Sequence, residues 1–315
     1  MNNGFLNSSK VVLTFTAFLL VACLQLPAVF AATGITVASV LPVRATQQLA
    51  AIHWQLGGQA LTDGDIPGAI TELEQAIALN PTNRVWQEAL VKLYEAEGLY
   101  YPAIQILNNL TALVPTEAKF WYERGLLFDK LNQLELAAQS LQKAVALDNT
   151  QGAYYYDLGV FESRLGHHQA SAAASLKAIE LKFNVADAYN NYGYALSHTG
   201  NYVQAEQAIN QALARQPEAL AATLDSKGFI CHKQQRYKEA LYWYNKALQK
   251  DPLLSEVQLH KAQTLEATGQ LAEAVTAYQT YIRLTKPNDE LASIVEHLKK
   301  LKAQLSTTGT QATNQ

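Results

Sequence analysis

Few residues of this chain stand in patterns that could do chemistry. His167 and His168 are adjacent and follow Gly166, Cys231 precedes His232, and Asn109-Leu110-Thr111 has the form of a glycosylation sequon. A metal site needs ring nitrogens that converge, with thiolate or carboxylate completing the set. Adjacent residues on a helix point about 100° apart, and no neighbouring cysteine or acid completes a set here, so His167 and His168 read as a solvated turn. Cys231-His232 has the composition of a thiol beside a base, and its meaning depends on where the surrounding periodicity places it. No Gly-rich phosphate loop, HExxH or GxSxG pattern occurs. The expectation is a chain that is not an enzyme, with no catalytic residues, no metal and no cofactor.

The elements that would position these residues recur along the chain. Prolines stand at 81, 115, 217, 252 and 287, separated by 34, 102, 35 and 35 residues. A fixed period of this size marks a helical repeat array. In the same register small residues recur at Gly57, Gly125, Gly159, Gly193, Gly228 and Ala262, and glycines seven later at Gly64, Gly98, Gly166, Gly200 and Gly269. A further small position runs through Ala69, Ala103, Ala137, Ser171, Ala205, Ala240 and Ala274. Small residues let two helices approach, glycine allows the tight reversal between them, and proline cannot continue the second helix. Trp121, Tyr189, Leu73, Leu141 and Tyr244 fall where the seam between helices must be filled. Cys231 aligns with Tyr94 and Phe128 and so reads as a buried small hydrophobe. Two departures weaken local packing: Val91 holds a small position, and Ser175 and Phe183 stand where a large apolar residue and proline are usual.

The 315 residues are 49% hydrophobic and 16% charged, with net charge −3. That excludes wholesale disorder, and a near-neutral chain without charge blocks is a poor grip for nucleic-acid phosphates. Two cysteines are too few for a disulfide framework.

Segments such as Asp187-Ala188-Tyr189-Asn190-Asn191-Tyr192-Gly193-Tyr194-Ala195-Leu196 resemble the first helix of the tetratricopeptide repeat, a 34-residue helix–turn–helix unit. The resemblance implies an all-α fold, a right-handed superhelical solenoid of about seven units with a C-terminal capping helix. The units fall at 50–83, 84–117, 118–151, 152–185, 186–219, 221–254 and 255–288, with Leu220 as one extra residue. Residues 32–49 are a tether and the start of the first helix, 289–305 the capping helix, and 306–315 a disordered tail. Members of the family present a concave surface from the first helix of each pair. Carried onto this register, that surface comprises Tyr122, Lys130, Tyr156, Asp157, Arg164, Asn190, Asn191, Tyr194, His198, Phe229 and Lys233. Rings beside amides suit an extended peptide. Some relatives hold a peptide's terminal carboxylate between lysine, asparagine and arginine. Here Asn191 is in place, but Tyr156, Val160, Ala222 and Ser226 stand in place of the cations, so that clamp is not expected.

Residues 1–31 read as an export signal. Lys10 precedes an apolar run from Val11 to Leu24, and Val29-Phe30-Ala31 offers a small-residue cleavage site. A second reading takes Leu20-Val21-Ala22-Cys23 as a lipoprotein box with Cys23 acylated. A third, an uncleaved anchor, is disfavoured because the run is shorter than the roughly 20 residues of a spanning helix. The combined expectation is an exported scaffold in the periplasm or cell envelope. It would bind a protein or extended peptide, with no nucleic acid and no small-molecule substrate, and would meet a membrane only if lipidated or uncleaved. The alternatives are an outer-membrane or pilus-type assembly lipoprotein held through Cys23, and an enzyme or cofactor binder, which no constellation supports.

Overall fold

The computed structural model describes residues 42–216, 220–287 and 289–312. The export signal at 1–31, Cys23, tether residues 32–41, Pro217 and the last three residues lie outside the described residues. Every regular element among those described is an α-helix. The chain divides into two compact units, one ending at Gln133 and one beginning at Leu134.

The first unit contains α1 (Val43–Asp63), α2 (Ile66–Leu79), α3 (Arg84–Ala96), α4 (Tyr100–Leu113) and α5 (Ala118–Lys130). Within the segment read from sequence as tether and start of the first helix, α1 begins at Val43. Asp65 caps α2 by accepting from the Gly68 amide at 3.0 Å, with a proline in the first turn where no amide is missed. Leu73, Leu90, Val91, Tyr94, Leu107, Leu110 and Phe120 bury a common core. Each such side chain contributes about 1.5–3 kcal/mol. Val91 is thus accommodated as a core residue.

The second unit contains α6 (Leu134–Leu147), α7 (Gly152–Arg164), α8 (His168–Glu180), α9 (Val185–His198), α10 (Tyr202–Arg215), α11 (Ala221–Lys233), α12 (Tyr237–Lys250), α13 (Ser255–Ala267), α14 (Leu271–Leu284) and α15 (Asp289–Ala312). Each helix packs on the next, and α7, α9, α11 and α13 also touch in succession. Every hairpin borrows core from its successor. Ile230 of α11 packs with Ala205 and Ile209 of α10. Val257 of α13 packs with Tyr244 of α12 and Cys231, and Leu298 and Leu301 of α15 pack with Tyr278 and Tyr281 of α14. Such nearest-neighbour burial is how a repeat array stabilises hairpins that could not stand alone. Cys231 is fully buried, and burial raises its thiol pKa.

Local stops explain the hairpins. At the end of α9 the Asn201 amide donates to the Leu196 carbonyl at 3.0 Å, with Gly200 left-handed at φ 83°. This 6→1 closure satisfies carbonyls the helix leaves free. Phe183 occupies the place of the usual proline, and α8 is stopped in the same way: Phe183 N donates to Ala178 O and Lys182 N to Ile179 O, with Lys182 at φ 58°. Two expectations need correction. α15 continues to Ala312, past the predicted end at Leu305 and through most of the segment read as a disordered tail. Trp121 and Tyr189 are half-buried rather than sealed in a seam. Each ring carries a guanidinium, Arg124 at 4.3 Å and Arg215 at 4.7 Å from the centroid, a favourable cation–ring contact.

Candidate functional site

The residues read from sequence as a groove fall in both units. In the first, Tyr122 is half-buried and Lys130 is exposed in the last turn of α5. Near Tyr122 in sequence, Lys119 Nζ reaches Glu88 Oε2 at 2.7 Å, and Glu88 also binds Arg84 at 2.6 Å. That face of α3 and α5 is occupied by its own ion pairs.

In the second unit the first helices of successive hairpins bring more of the residues together. Asn190, Asn191 and Tyr194 of α9 line a cleft of about 430 Å3 with Asp225 and Ser226 of α11, Glu256, Leu259 and His260 of α13, and Tyr281 and Thr285 beyond. His260 Nδ1 lies 2.9 and 3.1 Å from the two oxygens of Asp225. Burial opposes charge on this ring, yet Asp225, by charge and hydrogen bond, and then Glu256 raise its pKa. Burial raises the Tyr194 phenol, with Glu256 and Asp225 adding to it. The Tyr156 phenol on α7 is likewise raised by burial and by Asp187 and Asp157, against hydrogen bonding to Asn191 and Asn184. Its ring lies 5.8 Å from Phe183.

Beside the cleft runs a file of rings. His168 stacks on His198 at 4.2 Å, His198 on Phe229 at 4.8 Å, and Phe229 meets His260 at 5.2 Å. Tyr194 flanks it, 4.5 Å from His198, and Lys233 Nζ sits 5.0 Å over Phe229. Phe229 is only 7% exposed, so it supports the file and presents no open ring to a ligand. Asp157 is half-buried, and Arg164 is exposed at the end of α7 and does not line the cleft.

The structure revises the histidine pair. His168 is no solvated turn residue; it opens α8 and stacks inward. His167 Nδ1 lies 2.8 Å from Glu162 Oε2, an acid five residues back in sequence. Among the described residues no three potential ligands gather to hold a metal ion. The residues missed from sequence are Glu256, Leu259 and His260. They occupy positions two, five and six of the unit at 255–288, and positions five and six are those of Tyr156, Asp157, Asn190 and Asn191 in the middle units. Extending the register by one repeat would have found them. Tyr281 and Thr285 come from a second helix and its end, and no periodic signal marks them.

Models of the tetratricopeptide repeat match residues 184–252, 118–151 and 255–288. The chain is a tetratricopeptide-repeat protein. A solved tetratricopeptide repeat protein from Parabacteroides merdae is similar to it at 12% identity and a TM-score of 0.61, covering 79% of this chain and 98% of that one. The Cut9–Hcn1 hetero-tetramer of the APC/C is similar at 13% identity and a TM-score of 0.54, over 82% of this chain and 49% of that one. A solved MamA structure shares 28% identity over 54% of this chain and 92% of that one, at a TM-score of 0.48. No curated protein matches the chain. The first two likenesses establish the helical-repeat fold, and the tetratricopeptide-repeat matches support a protein-interaction scaffold.

Proposed function

We propose that this repeat protein captures an extended segment of a partner protein on the face built by α7, α9, α11 and α13. The observation that carries the reading is the cleft itself, with the Tyr194 ring, the Asn191 amide and two carboxylates in one concavity. Amides satisfy the backbone groups of an extended chain, and a tyrosine ring buries its side chains at small entropic cost. The sequence at 1–31 supports export and a role in assembling or regulating an envelope complex. Leu20-Val21-Ala22-Cys23 supports a second form of the reading, in which the scaffold is held at a membrane through acylated Cys23. Selection of peptides from a displayed random library by the full chain tests the binding role. Replacing Tyr156, Asn191 and Tyr194 together with alanine should abolish enrichment while helical content by circular dichroism is unchanged. Undiminished enrichment would reject this face. Mass spectrometry of the mature N-terminus separates cleavage after Ala31 from acylation at Cys23.

A further inference from the structure

The cleft between α9, α11 and α13 holds a surplus of hydrogen-bond acceptors. Asn190 Oδ1, on its lining, has almost no solvent-exposed area and no hydrogen-bond partner. Ser226 gives its hydroxyl proton to the Ala222 carbonyl at 3.0 Å, so its oxygen lone pairs stay available. Asp225 accepts from His260, and a carboxylate has room for about four such bonds. Glu256 stands exposed at the rim. Among the described residues lining the cleft none is lysine or arginine, and its one imidazole, that of His260, is directed at Asp225. A buried acceptor left without a donor costs about 1–3 kcal/mol, and two carboxylates in one concavity repel an anion and attract a cation.

Resting on the reading that this face takes a peptide, we propose that the cleft receives an arginine side chain from the partner segment. A guanidinium brings five N–H donors in a plane, enough to serve acceptors spread over three helices. It also stacks on an aromatic face, which Tyr194 supplies. An ammonium is a compact point charge and would satisfy fewer of these groups. The polarity is opposite to that of a site for a terminal carboxylate.

Two measurements on the full chain test this. The first follows ring signals of Tyr194 and His260 by NMR during titration with Nα-acetyl-arginine N-methylamide, and separately with the citrulline analogue, which has the same shape without the charge. The arginine probe should shift both signals and the citrulline probe neither. Glu256→Gln, a change at an exposed residue, should weaken the response roughly fivefold. Equal shifts with citrulline, or no shift with either probe, would overturn the proposal. The second compares peptides enriched from the displayed library. A fixed arginine among them supports the proposal. Enrichment without basic preference, with the arginine probe silent, removes the arginine site and leaves peptide capture standing. Shifts with the arginine probe but no enriched peptide would keep the guanidinium site and remove peptide capture.

Discussion

The imidazole of His198 lies face to face on that of His168, with centroids 4.2 Å apart and planes 21° from parallel. The pair ties α8 to α9, and protonating both rings would set like charges against each other. Burial, then the charges of His168, Lys233 and His260, push His198 down to about 4, although the residue as a whole is exposed. His168 is lowered as well, by burial and by His167.

A depressed folded pKa means the unfolded chain takes up protons first as pH falls. The contribution of this pair is complete above about 6.5, the ordinary histidine value, and is lost as pH falls towards 4. We expect the His198 ring to titrate in NMR with a midpoint near 4. His198→Phe should protect the melting temperature at pH 5 more than at pH 7.5. A midpoint at the ordinary histidine value would refute the stacked, neutral arrangement. His260 runs the other way: its contribution is present below about 6.5 and is lost as pH rises through its elevated folded value.

Gly193 separates two kinds of small residue. A Cβ there would sit 2.9 Å from the Ala205 carbonyl oxygen and 2.9 Å from Ile209 Cδ1. The carbonyl belongs to the backbone of α10 and cannot turn aside, so Gly193→Ala should cost about 1–3 kcal/mol in urea unfolding. At Gly58, exposed on α1, a Cβ meets nothing within 4 Å. Gly58→Ala should therefore stabilise by about 0.5–1 kcal/mol. Equal effects at the two positions would contradict the close approach of α9 to α10.

The repeat was legible because the residues that make it are read one at a time. A small residue at Gly193, a left-handed turn at Gly200 and a seam residue at Tyr244 each answer a local demand that recurs every 34 residues or so. What stayed hidden depends on which faces meet. α11 is buried without interruption from Thr223 to Cys231, although it carries Asp225 and Lys227, and nothing in its pattern announces that. The His168–His198 stack joins residues thirty apart through geometry that no spacing rule encodes. The cleft shows the same limit. Asn190, Asn191 and Tyr194 line it, but Phe229 is closed over by its neighbours, and the last repeat contributes Glu256 and His260.

Gln235 holds the turn between α11 and α12 at φ 60°, where the other hairpin turns of this unit that carry glycine adopt similar values. Its amide donates to His232 O at 2.9 Å, and Arg236 N donates to Cys231 O at 2.8 Å, so the left-handed conformation is held by the same closure as at Gly200. A side chain in that region costs about 1–2 kcal/mol that glycine avoids. Gln235→Gly should raise stability by about 1 kcal/mol and Gly200→Ala should lower it by a similar amount, both read from denaturant midpoints. A loss of stability in Gln235→Gly would show that the glutamine side chain, rather than the backbone, dominates that turn.

Lys227 is 6% exposed, and its ammonium binds Glu206 Oε1 at 2.7 Å and Asn210 Oδ1 at 2.8 Å. Glu206 takes a second partner, Arg236, at 2.8 Å. Burial alone would raise the Glu206 carboxyl, but the hydrogen bonds from Lys227 and Arg236 outweigh it and hold its pKa low. The cluster fastens α10 to α11 and to the turn that follows. Lys227→Ala removes two charge-assisted bonds and strands an amide, and should cost about 3 kcal/mol. Lys227→Met keeps the volume and leaves Glu206 paired with Arg236, so about half that loss is expected. A double-mutant cycle with Glu206→Gln should show coupling above about 0.5 kcal/mol. Additive losses would mean the two side chains act independently, and the α10–α11 contact would then rest on its apolar residues alone.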